Sequence, residues 1–281
     1  MDVDENSHGS AVVEEMLSLW KFSDPAESER GFREAQAGAD VARRAIFTTQ
    51  IARSYGLRND FATARALLSE LDLEGASAIV RAYYWLELGR TYASAAHDLD
   101  SVPDDEMRAA RHAFTQSAEI ATRAGLDDIA IDALHMMVFV DREPDEQITW
   151  NLRALERAEG SAEPAAKRWL ASLYNNIGYA LHLTGRYDEA LTYFDRSKRA
   201  HLARDNQRSA RIADWMTAWT LRVMGRSAEA LEIQRRLERE NNALGTPDAY
   251  VYDELATLYQ QRNEPRLAAH YRARQAAVEA G

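Results

Sequence analysis

"YNNIGYALHLTGRYDEALTYF", residues 174–194, decides the fold. Apolar residues recur at three- and four-residue steps on either side of Gly185, which predicts two amphipathic helices joined by a tight turn. Gly178 is followed twelve positions later by Ala190, and small residues at those two places let the helices approach closely. The same interval recurs from Ala52 to Ala64 in "IARSYGLRNDFATARALL", from Ala218 to Ala230 in "AWTLRVMGRSAEALEI", and from Ala256 to Ala268 in "LATLYQQRNEPRLAAHY".

A fifth copy is more explicit. In "YYWLELGRTY", residues 83–92, Trp85, Leu88, Gly89 and Tyr92 spell W-x2-L-G-x2-Y, and Ala110 and Phe114 supply the following A-x3-F after nine extra residues. The sequence therefore resembles the tetratricopeptide repeat family. A weaker copy, "IDALHMMVFVDREPDEQITWNL", places His135 in the small slot and Gln147 at the alanine, with the register there open. The six slots, Ala52, Gly89, His135, Gly178, Ala218 and Ala256, are 37, 46, 43, 40 and 38 residues apart, so helices or turns must exceed those of a 34-residue standard repeat.

The resemblance implies an all-α protein, a right-handed α-solenoid of about six helical hairpins, with residues 42–281 stacked as one continuous domain. One hairpin cannot bury its apolar stripe alone, and stacking gives each stripe a neighbour. Residues 1–41 are expected to be a disordered acidic start followed by a degenerate helical cap. In that cap Ser23 or Asp24 caps a helix, Pro25 suits its first turn and Phe32 holds the aromatic position.

Composition narrows the chemistry. Without cysteine there is no disulfide framework, thiolate metal site or cysteine nucleophile. The seven histidines are scattered without ligand spacing, and no phosphate loop, GxSxG elbow or HExxH occurs, so neither a cofactor nor a metal is expected. Net charge of −11 argues against nucleic acid as a partner. The charge is uneven: residues 1–40 hold ten acids against three bases, and 195–240 hold eleven bases against seven acids. The first apolar stretch is interrupted by Glu14 and Glu15, which fits neither a signal peptide nor a membrane span, so a cytoplasmic protein is expected. The acids of "AHDLDSVPDDEM" lack the spacing of a calcium loop and suit a solvated loop before a helix start.

Each first helix divides into faces. Offsets −4, −1, 0 and +3 from the slot form the packing stripe, and −6, −3, +1 and +4 form a neighbouring stripe. In the family that this sequence resembles, that second stripe lines the concave groove where ligands bind. It carries Tyr83 and Arg90 in the second repeat, Asp132 and Met136 in the third, and Asn175, Tyr179 and His182 in the fourth. Trp215, Trp219 and Arg222 follow in the fifth, and Tyr250 and Asp253 in the sixth. Aromatics and arginine dominate buried contacts at interfaces, so the last three repeats are the richest in candidate contacts.

Two residues break the packing stripe: His135, and Asp214, whose carboxylate needs a donor if buried, with Arg211 the nearest on its own helix. The lysines of the family's known carboxylate clamp are missing around Asn175 and Asn176. The expected function is recognition of a protein or peptide segment in the groove, with Arg222, Asn175 and His182 fixing polar groups. The alternatives are a small-molecule sensor, as in helical-repeat domains of bacterial regulators, and an enzyme built in the groove.

Overall fold

The computed structural model describes residues 12–280, and the acidic start at residues 1–10 lies outside them. Every regular element among the described residues is helical. Contacts divide the chain into two compact units, residues 1–167 and 168–281.

In the first unit, helix α1 spans residues 12–19 and α2 spans Pro25–Gln36. Asp24 caps α2 by accepting a hydrogen bond from the Glu27 amide, Pro25 sits in the first turn, and Phe32 is fully buried. Three hairpins follow: α3 (Val41–Gly56) with α4 (Phe61–Ser69), α5 (Ala78–Arg90) with α6 (Asp104–Ala124), and α7 (Asp127–Met136) with α8 (Pro144–Gly160). A short helix, α9 (Pro164–Lys167), packs on α7 and α8. The second unit repeats the plan with α10 (Leu170–Leu183) and α11 (Tyr187–Leu202), α12 (Gln207–Val223) and α13 (Ser227–Ala243), and α14 (Ala249–Gln261) and α15 (Pro265–Glu279). First helices also touch the next first helix: α3 with α5 and α5 with α7 in one unit, α10 with α12 and α12 with α14 in the other.

The slot is physical. A Cβ added at Gly178 would stand 2.6 Å from the Phe194 ring, and one at Gly89 would stand 2.4 Å from the Phe114 ring, far inside contact distance. Only a bare backbone lets these two helices meet around a buried phenyl group. Seven residues after the slot, Asn59, Gly185, Gly225 and Asn263 all adopt positive φ, between 59° and 79°, and turn the chain into the second helix. The two hairpins with the longest spacing replace this turn. A loop over 91–103 precedes the 21-residue α6, and a 3₁₀ turn, Met137–Phe139, follows α7.

His135 keeps the register of the slot. Its Nδ1 lies 3.4 Å from Oδ1 of the buried Asn151, which stands sixteen positions later, the interval that separates Gly178 from Phe194. A polar pair thus replaces the glycine–phenylalanine contact. Asp214 is buried as expected of its stripe, but Arg211 is not its partner. Lys198 of α11 and Arg236 of α13 each reach it at 2.8 Å, from the two helices packed against α12. No described helix is long and apolar enough to cross a membrane.

Candidate functional site

The groove stripe has two different fates. In the first unit it is closed. Tyr83, on α5, is 4% exposed, and Met136, on α7, is also buried, so neither lines an open groove. Burial raises the Tyr83 phenol pKa far above its ordinary value. Arg90 does not await a ligand either: its guanidinium donates to Glu87 Oε1 and Asp132 Oδ1, both at 2.5 Å. Burial opposes its charge, but the two carboxylates together outweigh that and raise its pKa. Asp132 feels the reverse: burial favours its neutral form, and Arg90 with Arg53 overcomes it and lowers the pKa.

Two groups complete this cluster without full pairing. Glu87 is 1% exposed and its Oε2 has no hydrogen-bond partner, so burial pushes its pKa up against the pull of Arg90 and Arg53. The buried Arg53 Nε is equally unpartnered, and burial lowers the pKa of that guanidinium. Two rings cover it: Trp20 and Phe22 stack at 4.8 Å, and the Arg53 guanidinium carbon lies 5.2 and 5.4 Å from their centroids. Trp20 is itself held by donation from Nε1 to Gln50 Oε1 at 3.1 Å, and Glu15 pairs with Arg43. The cap therefore lies over the Arg53 end of the cluster.

In the second unit the stripe is open and aromatic. Trp215 and Trp219 lie one turn apart on α12 with stacked rings, 5.8 Å between centroids. Tyr179 of α10 stacks on Trp219 at 6.1 Å, and Tyr250 of α14 meets Trp215 at 6.0 Å with planes 73° apart. The result is a continuous ladder across three first helices, with Tyr179 42% and Tyr250 73% exposed and the tryptophans half-buried. Asn175 is half-buried one turn before Tyr179, and Asp253 is exposed three residues after Tyr250, on the same helix face. Trp215 Nε1 is a buried donor without a partner.

His182 and Arg222, expected to fix polar groups of a ligand, are already engaged. The His182 ring lies 3.6 Å from that of Trp219, and Nδ1 is 2.9 Å from Thr220 Oγ1. The Thr220 hydroxyl donates to the Met216 carbonyl, so it accepts from Nδ1–H and fixes that tautomer. Burial, helped by the charge of Arg222, lowers the His182 pKa and holds the ring neutral. Arg222 forms a bidentate pair with Glu254 at 2.7 and 2.8 Å.

Sequence reasoning missed Glu87, Glu254 and Thr220. Both glutamates occupy offset −2 from the slot, a position also buried at Gln50, Ala133 and Met216. An acid at an otherwise buried offset, with an arginine within reach on the same or the preceding first helix, was the signal available.

Tandem hairpins, five of the six closed by a small residue in the slot, define a helical-repeat fold. Residues 170–202, the α10–α11 hairpin, match the tetratricopeptide repeat model. No curated protein matches the chain significantly. Among solved structures, the chain is similar to a signal transduction ATPase with numerous domains that carries a tetratricopeptide repeat sensor, from Pyrococcus horikoshii. Identity is 12% and the TM-score is 0.69, over 90% of this chain and 39% of that one, so this chain spans less than half of that protein's length. Fainter likenesses are to BtubC from P. vanneervenii (12% identity, TM-score 0.42, 96% of this chain and 91% of that one) and to the apo form of the quorum sensor NprR from B. thuringiensis (13%, 0.33, 99% and 100%).

Proposed function

We propose that the face of α10, α12 and α14 is a recognition surface for an extended peptide or protein segment. The observation that carries this is the ladder Tyr179–Trp219–Trp215–Tyr250, four rings in sequence with the tyrosines at its ends exposed and the tryptophans between them half-buried. Exposed Ile212, one turn before Trp215, and Leu183, one turn after Tyr179, extend the apolar face. Rigid aromatic side chains contribute large contact area at low entropic cost, which suits them to hold a chain laid across the helices. His182, stacked on Trp219, then acts as a fixed support for that ring.

The test is selection of short peptides on the purified protein, repeated with Trp219→Ala and Tyr179→Ala. Enrichment that disappears in both variants, with helical content retained, supports the reading. Enrichment unchanged in both removes it.

A second reading, a small-molecule sensor, draws on the unpartnered Glu87 Oε2 and Arg53 Nε of the first unit and on the sensor fold of the P. horikoshii protein. A ligand there would have to displace Trp20 and Phe22. Glu87→Gln should then abolish small-molecule binding and leave peptide selection on the ladder intact.

A further inference from the structure

Resting on the peptide-recognition reading, we propose that the corner formed by Trp215, Tyr250 and Asp253 receives a cationic side chain, arginine or lysine, of the bound segment. The geometry is that of a partial aromatic cage. The Trp215 and Tyr250 planes meet at 73° with centroids 6.0 Å apart, so two ring systems bound one corner, and Tyr250 is the most exposed ring of the ladder. Ring faces carry negative quadrupole density and attract cations, more so when the cation is partly desolvated.

The local charge points the same way. Arg222 has its guanidinium consumed by the bidentate Glu254 pair, and His182 is held neutral. The exposed Asp253, one turn beyond Tyr250, lies outside that pair and close enough to Arg222 to raise its pKa further. Arg222, Glu254 and Asp253 together leave one negative charge beside the rings. An anionic guest would find a neutralised arginine, a neutral imidazole and an opposing carboxylate. Arg211, one turn before Trp215, works against a cationic guest, so its removal should tighten binding about twofold.

The experiment uses immobilised pools of short, end-blocked random peptides whose central residue is fixed as Arg, Lys, Leu or Glu, and measures bound protein at physiological salt. The Arg and Lys pools are expected to bind about two- to fivefold above the Leu pool. Because the whole chain is at −11, general attraction for basic peptides must be separated from the corner. Tyr250→Leu, which leaves charge unchanged, should erase the preference, and Asp253→Asn should weaken it. A cation preference untouched by Tyr250→Leu overturns the inference, as does highest binding to the Glu pool. Highest binding to the Leu pool, lost in Trp219→Ala, overturns the cation and leaves peptide recognition standing. Binding to no pool, or binding indifferent to Trp219→Ala, overturns both.

Discussion

The two units carry the same stripe at the same offsets from the slot and use it in opposite ways. In the first, the stripe turns into a buried ion cluster, with Arg90 gripped by Glu87 and Asp132 and the rings of the cap laid over Arg53. In the second, it holds rings, one buried ion pair at its end, and solvent. The difference teaches that a repeat offset defines a place and not an exposure. Whether the place is open depends on what another part of the chain lays on it.

Substitutions can break or sharpen this contrast. The largest effect is expected for Arg90→Met, which strands two buried carboxylates and should cost about 3–5 kcal/mol in urea unfolding followed by circular dichroism. Arg222→Met strands only Glu254 and should cost about 2 kcal/mol. An equal or reversed order would show that the second unit depends on its ion pair as much as the first does on its cluster.

Gly178→Ala should cost about 1–3 kcal/mol, because the buried Phe194 ring leaves the methyl group no room and the gain in helix propensity is smaller. A neutral or stabilising result would mean that α10 and α11 can slide apart without loss. In the opposite direction, Gln234→Met should stabilise by about 1 kcal/mol. Gln234 is fully buried at the phenylalanine position of its repeat, sixteen residues after Ala218, and neither amide atom has a partner in the chain. Thermal melting of the variant checks this.

The smallest effect is a titration. His182 binds its proton more weakly folded than unfolded, so its contribution to stability is complete above its ordinary pKa of about 6.5 and is lost as the pH falls towards the lower folded value. Protonation faces Arg222, the hydroxyl of Thr220 and the rings of Trp219 and Tyr187. Tryptophan fluorescence should therefore change with a midpoint below 6.5, and His182→Gln should remove that step. A midpoint at or above 6.5 would contradict a desolvated ring.

Much of the fold is legible in the sequence because its rules are local. The small slot, the second small residue twelve positions on and the left-handed residue at slot plus seven all act within one hairpin, so Gly178, Gly185 and Ala190 announce it unaided. The ladder was legible for the same reason: Trp215 and Trp219 share a helix face. What escaped depends on residues far apart. Nothing near Arg53 announces Trp20 and Phe22, and Arg222 finds its partner thirty-two positions later. Asp214 takes its two cations from helices on either side of its own.

The stacking of Trp20 and Phe22 on Arg53 has a further consequence in mass action. These rings belong to the same chain as the surface that they touch, and Trp20 is buried in the core with Met16 and Phe32, so their hold on Arg53 does not depend on the protein concentration. A ligand aimed at Arg53 would have to break that intramolecular contact before making its own. Phe22, 60% exposed, is the one of the two rings that can be removed without opening the core, so Phe22→Ala would weaken that internal competitor and leave every residue of the cluster in place.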